Sequence, residues 1–416
     1  MLKKIVYKKL FGVFDYEINL KEDGVTIITG PNGFGKSTIL KSIDAFYSFN
    51  IIFFSRLDYE KISFFSVEGK EPISIEKKGQ KIIINGFEIN VNDFQDEILR
   101  KFRRPYYYRI DESRWIDRRT DEIISEDDLI QDYISSRYMD GEIGIQNTEF
   151  QNLREKVKDY SGETKFIKEQ RLLRERFYGR DERQTVNVID ELPKQFKEKI
   201  NRVSSIYSSE ANNLDSSYPN RLFETKKGIT KEEYTKYLKY MNEKFEKLNK
   251  YNISDIKILG KQVKFLEEHS KALKVYFNDF EKKYKVFEEL IEQLDLFTDI
   301  INSRLKFKDI RISRDEGIVV YKSNTDEQLK LAQLSSGEKQ EIILFYELIF
   351  ESDKNIHLLI DEPEISLHIE WQLKFMDDLL RIAEKKKFKV TVATHSPQII
   401  NNHWDIQIDL GEMYGN

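Results

Sequence analysis

The run Gly30-Pro31-Asn32-Gly33-Phe34-Gly35-Lys36-Ser37-Thr38 constrains this chain most, because of what flanks it. Before it stands Val25-Thr26-Ile27-Ile28, a short β-branched run of strand type, and after it Ser37 to Phe49 has helical spacing. A glycine loop between a buried strand and a helix turns its backbone N–H groups toward an anion, and the positive end of the helix adds to the attraction. The spacing Gly30-x-x-x-x-Gly35-Lys36-Ser37 therefore predicts a nucleotide-phosphate cradle. Gly30, Asn32, Gly33, Gly35 and Thr38 line it, Lys36 bridges the β- and γ-phosphates of ATP, and the Ser37 hydroxyl ligates Mg²⁺.

Four later segments complete the pattern in order. His357-Leu358-Leu359-Ile360-Asp361-Glu362 reads as a buried strand ending in two acids. Asp361 is expected to hold Mg²⁺ through water, and Glu362 to orient and deprotonate the attacking water. His395 follows the strand Val390–Thr394, where it can touch a γ-phosphate. Leu334-Ser335-Ser336-Gly337-Glu338 precedes a helix running to Phe350 and offers an anion a hydroxyl, backbone N–H groups and a helix dipole. The same residues also spell a Ser N-cap with a capping-box acid. Gln170, after the strand Lys165-Phe166-Ile167, is a candidate sensor of Mg²⁺ and of the attacking water, a role for which Gln95 competes. Glu364-Ile365-Ser366-Leu367-His368 is expected to face a second subunit.

The bulk composition excludes several classes. With 34% charged residues and a net charge of -5, the 416-residue chain is no polycation, so any nucleic-acid contact needs a local patch. The absence of cysteine rules out disulfides and thiolate metal sites, and the five histidines show no paired ligand spacing. Lys8 and Lys9 interrupt any leader-like apolar run, and the longest apolar stretch, Ile51–Phe54, is far below the ~20 residues of a membrane span. A cytoplasmic location is expected.

Alternation at Ile5/Tyr7 and Tyr16/Ile18/Leu20 predicts two strands before the loop, and glycines at 69, 79 and 86 predict hairpins over 62–91. From 92 to 160 the pattern is charged and helical in spacing. Two heptad-like runs follow, one through Tyr234, Leu238, Met241, Phe245 and Leu248, the other through Leu273, Phe277, Phe280, Tyr284, Phe287, Ile291 and Leu294. They predict an antiparallel helical hairpin, a short coiled coil that serves either as an internal seam or as an arm that docks a partner. The expected division is 1–225 and 306–416 as two parts of one α/β head, with 226–305 as the inserted hairpin.

Together these motifs resemble the ABC-type ATPase superfamily, in the branch of SMC- and RecF-like ATPases; transporters usually carry Gln in place of Glu338. The resemblance covers both ends of the chain, about 1–50 and 330–410. It implies an ABC-type P-loop ATPase head, and Ser335, Ser336, Gly337 and Glu338 completing the ATP site of a second copy, hence a homodimer or higher homo-oligomer. Lys165–Leu172, Leu214–Leu222 and Thr394–Asp405 are further similar to stand-alone ATPases of bacterial anti-phage systems such as PARIS and Septu. That likeness implies a separate nuclease or toxin subunit under the control of the ATPase. Too few residues follow His395 for an appended nuclease domain, so the cutting chemistry is expected in another protein.

The alternative is a DNA-repair or chromosome-maintenance ATPase that binds DNA directly. Arg103-Arg104-Pro105-Tyr106-Tyr107-Tyr108-Arg109 mixes cations and rings as a nucleic-acid surface does, but Asp111, Glu112, Asp117, Asp121 and Glu122 interleave with it, as in a salt-bridged lobe.

Overall fold

A computed structural model of the chain describes residues 1–22, 24–91, 107–110, 114–118, 122–125, 152–153, 155–157, 160, 163–167, 172–178, 182–253, 265–325, 327–352 and 356–414. Contacts divide it into two units: Met1–Val186 with Phe350–Asn416, and Asn187–Ile349.

The first unit is built on a parallel five-stranded sheet in the order Thr164–Ile167, His357–Asp361, Lys389–Ala393, Gly24–Thr29, Gln407–Asp409. Its central strands are buried along nearly their whole length, as expected when both faces are covered. The helix Lys36–Tyr47 places Ile39, Leu40, Ile43 and Phe46 in the core. That core joins Leu359 and Ala393 of the parallel sheet to Leu2, Ile5, Tyr7, Ile62 and Phe64 of a second, antiparallel sheet. Phe46 stacks on Phe64 with centroids 4.1 Å apart. The antiparallel sheet runs Phe14–Asn19, Leu2–Leu10, Lys61–Ser66, Ile73–Lys78, Lys81–Ile84, Phe87–Asn90, so the expected hairpins over 62–91 are there.

The 92–160 expectation of helix holds for the described residues 152–153 and 155–157 and is corrected earlier in that stretch. Among its described residues, Tyr107–Arg109, Arg114–Asp117 and Glu122–Ser125 are strands of a third sheet, with Leu173–Tyr178 and Glu182–Asn187 beside them. The charges that read as a helical face lie over rings: Arg109 is 5.6 Å from the Trp115 centroid and Arg118 is 5.8 Å from that of Tyr108.

The second unit holds three long helices, Val188–Glu224, Lys231–Lys250 and Ser270–Asn302. The two heptad runs do form helices, but they do not form the antiparallel hairpin. Tyr234 meets Phe277, Phe245 meets Phe280, and Lys250 Nζ reaches Asp295 at 2.7 Å, so these helices run parallel. The antiparallel partner of Ser270–Asn302 is Val188–Glu224: Phe196 packs on Phe297, Tyr207 on Phe287, and Arg221 pairs with Asp279 at the far end. Heptad spacing reports which residues are buried and not the direction of the partner. The contact boundary consequently falls after Val186, ahead of that helix, rather than at 225.

A three-stranded antiparallel sheet, Lys308–Ser313, Gly317–Lys322 and Gln328–Leu329, leads to the helix Ser336–Phe350. Gly317 is required there: it has φ of 73°, and a Cβ would lie 2.0 Å from the Pro193 carbonyl oxygen.

Candidate functional site: a phosphate loop facing three acids and a histidine

Register brings the site together. Asp361 stands opposite Ala393, and Ala393 opposite Ile28, so three strands end at one level of the parallel sheet. Each is followed by one piece of the predicted machinery: Gly30, Glu362 and Thr394-His395. The carboxyl edge of an open α/β sheet is where such folds bind ligands, because loops and helix N-termini converge there.

The loop adopts the shape its glycines permit. Gly30, Gly33 and Gly35 have φ of 145°, 86° and 90°. Gly35 is the N-cap of the helix Lys36–Tyr47, and a Cβ on it would stand 3.2 Å from the Phe11 ring. Asn32 and Gly33 are exposed at the loop tip, and Thr38 lies in the first helical turn. Lys36 is buried, its Nζ donating to the Gly30 and Pro31 carbonyls at 2.9 and 3.4 Å. The ammonium is therefore held over the cradle rather than released to solvent.

Ser37 Oγ donates to Asp361 Oδ1 at 3.0 Å. A hydroxyl and a carboxylate side by side beneath a phosphate loop are the two protein oxygens that Mg²⁺ takes when phosphates and waters complete its octahedron. No group of three or more His, Asp or Glu able to hold a metal occurs among the described residues. The Ser37–Asp361 oxygen pair fits a divalent cation whose remaining ligands come from phosphates and waters.

Glu362 has φ of 43°, a left-handed conformation that costs a non-glycine residue about 1–3 kcal/mol and concentrates at working sites. Its N–H donates to the Ala393 carbonyl at 2.9 Å, which fixes the turn. Burial pushes its carboxyl above the usual carboxylate range; Asp361 and Glu364 push the same way, while His395 and Lys36 oppose.

His395 is half-exposed, with Nδ1 3.0 Å from Glu364 Oε1 and 3.9 Å from Glu362 Oε1. Glu364 was expected to face a second subunit, yet its side chain is only 6% exposed and turns inward to this histidine; among the described side chains of that segment, those of Ile365 and His368 are exposed. The sequence shows a third acid after Asp361-Glu362 but not its partner. A second feature missed from sequence is a ring cluster beside the loop. Phe14 lies 5.2 Å from Phe34 and 5.1 Å from Tyr414, with Phe11 at 6.5 Å.

The predicted residues do not all gather here. Ser335, Ser336, Gly337 and Glu338 belong to the other unit. There the capping box is realised: Glu338 N–H donates to Ser335 Oγ at 3.3 Å and Ser335 N–H to Glu338 Oε2 at 2.8 Å. Lys308 Nζ donates to both Glu338 oxygens at 2.9 Å. Ser335 and Ser336 remain exposed at the helix start. Gln170 lies outside the described residues; the strand Thr164–Ile167 ahead of it pairs with His357–Asp361, with Ile167 opposite Ile360. No helix of the described residues is long and apolar enough to cross a membrane.

Over 37 residues the chain is 51% identical to the probable branched-chain amino acid transport ATP-binding protein LivF of Archaeoglobus fulgidus, a match covering 9% of this chain and 16% of that protein. Solved structures with partial likeness include an Smc head bound to the C-terminal winged-helix domain of ScpA, at 11% identity and a TM-score of 0.39 over 96% of this chain and 91% of that one. The SMC head domain of Thermotoga maritima gives 14% identity and a TM-score of 0.33 over 96% and 90%. A family model, the AAA ATPase domain, matches residues 9–400, from the end of the strand Leu2–Leu10 to the helix Pro397–Ile400 after His395, and the chain belongs to that family.

Proposed function

We propose that this ATPase closes as a homodimer on two ATP molecules with Mg²⁺, and that closure and reopening control a separate nuclease or toxin subunit in bacterial anti-phage defence. The observation that carries the ATP chemistry is the Ser37–Asp361 pair beneath the loop, with Glu362 adjacent. The anti-phage reading rests on the motif likeness in 165–172, 214–222 and 394–405.

Lys36 and the loop N–H groups bind the β- and γ-phosphates, and Ser37 and Asp361 hold the metal. When bound, Mg²⁺ neutralises phosphate charge and orients the γ-phosphate. Glu362, held high by burial, takes a proton from water. His395 and Gln170 contact the γ-phosphate side. The rings of Phe11, Phe14 and Tyr414, which meet edge to face, offer apolar contact for the base. Exposed Ser335 and Ser336, at the positive end of their helix, close over the γ-phosphate of the other copy.

The decisive experiment is to purify Glu362→Gln with ATP from its host. A dimer that carries a stoichiometric nuclease or toxin supports the proposal; a monomer in saturating ATP refutes it. The second reading, direct DNA binding, is favoured by Arg118 over the exposed Tyr108 ring. It requires the isolated chain to bind DNA with a log K that falls steeply with log salt.

A further inference from the structure

Glu364 has no part in the reading above, yet it is the most committed carboxylate of the site. Its Oε1 accepts from Thr394 Oγ1 at 2.7 Å and from the His395 N–H at 2.9 Å, and it lies 3.0 Å from His395 Nδ1. Oε2 is buried with no protein partner, so all the bonding of this group points at Thr394-His395. Glu364 itself is anchored by the 3₁₀ turn Pro363–Ser366. Gln372 ties the same two loops a second time, donating to the Glu364 carbonyl at 3.2 Å while its Oε1 accepts from Ser396 Oγ at 2.8 Å.

We propose that Glu364 is a positioning residue that sets the tautomer of His395, holding Nδ1–H on itself and presenting Nε2 to the γ-phosphate. The inference rests on the ATPase reading for its purpose but not for its chemistry. The approach is a 3.0 Å ion-pair contact, and because a carboxylate only accepts, it favours the tautomer with the proton on the facing nitrogen. The ring is anchored at a buried carboxylate on one side and is half-exposed on the other. The competing acceptor is Glu362, whose Oε1 is 3.9 Å from the same nitrogen, beyond hydrogen-bond reach. Glu364 thereby keeps His395 from pairing with Glu362, and the Glu362 carboxylate stays available to water. A carboxylate that holds a metal-ligating histidine fixes its ring orientation, and its loss typically costs about 10–100-fold in activity, the scale taken here for the same arrangement without a metal.

The test uses the full-length protein at a pH where His395 is neutral. Long-range ¹⁵N–¹H NMR reads its ring nitrogens, assigned by difference with His395→Gln. The wild type should show a protonated Nδ1 and a bare Nε2. Glu364→Ala should show the Nε2–H form and lose about 10–100-fold in turnover, with ATP affinity within about threefold. Glu364→Gln keeps an amide oxygen for Nδ1–H and should retain both the wild-type tautomer and most of the turnover. It also serves if the alanine variant does not fold. A wild-type ring protonated at Nε2, an alanine variant with unchanged tautomer or turnover, or a glutamine variant as slow as alanine overturns the proposal. A wild type that shows the expected tautomer but hydrolyses no ATP refutes the ATPase reading and leaves the tautomer assignment standing.

Discussion

Ser37 Oγ and Asp361 Oδ1 stand 3.0 Å apart although 324 residues separate them in the chain. Two things make the pair: the helix that follows the phosphate loop, and the parallel register that ends the His357–Asp361 strand at the level of the loop. Neither residue is informative alone; together they set a hydroxyl and a carboxylate side by side, the two protein oxygens that the proposed Mg²⁺ would take.

Glu362→Gln should bind ATP as the wild type does and hydrolyse it at least about 100-fold more slowly, since positioned proton transfer contributes that much or more. Steady-state phosphate release beside a fluorescent-nucleotide titration separates the two effects. Because burial raises the Glu362 carboxyl, the proton-accepting form is lost as pH falls, starting above the usual carboxylate range. The acid limb of the wild-type rate should lie there. Normal turnover by the glutamine variant would exclude Glu362 as the base.

Lys36→Ala removes the ammonium held over the loop by the Gly30 and Pro31 carbonyls. ATP affinity should fall about 10–100-fold, the equivalent of one or two charge-assisted hydrogen bonds. Calorimetric titration with ATP checks this; unchanged affinity would move the nucleotide elsewhere.

Ser335 invites two substitutions with different outcomes. Ser335→Ala loses the N-cap of Ser336–Phe350 and should cost about 1 kcal/mol in denaturant unfolding. Ser335→Arg should abolish turnover while each copy still binds ATP; undiminished turnover would end the shared-site proposal.

Glu338 tests the same cap through pH. Burial works to raise its carboxyl, but hydrogen bonds from Lys308 and Ser335 outweigh burial and hold it below the usual range. A depressed folded value stabilises the fold above the unfolded value of about 4.3 and loses that contribution as pH falls through the folded value. The stability difference between wild type and Glu338→Gln should therefore be present at neutral pH and vanish in acid. A constant difference in urea unfolding from neutral pH down to about 3 would contradict it.

Arg304 and Glu341 form an ion pair that is almost wholly buried, with the guanidinium 4.6 Å from the Phe345 centroid. Arg304→Ala should destabilise by about 3–5 kcal/mol because the buried Glu341 carboxylate loses its guanidinium. The double variant Arg304→Met/Glu341→Leu should recover most of that loss; if it is as unstable as the single variant, the pair stabilises by more than it costs.

The local sequence by itself determined the strand–loop–helix at Gly30, the acid-terminated strand, the strand before His395, the hairpins over 62–91 and the two heptad helices. Each of these is set by residues that are neighbours in the chain: glycines with positive φ, apolar runs of strand length, apolar positions three and four apart. The tertiary structure alone decided three things. It set the direction of the helices, because Phe245 would be buried equally well against a parallel or an antiparallel partner, and packing through Phe196 and Phe297 gave the antiparallel place to Val188–Glu224. It made strands of Tyr107–Arg109, Arg114–Asp117 and Glu122–Ser125, where charged residues such as Arg109 and Arg118 lie near the rings of Trp115 and Tyr108. It also turned Glu364 inward, since which of three adjacent acids faces a histidine thirty-one residues away depends on strand register and on the left-handed turn at Glu362, and neither is written in local spacing.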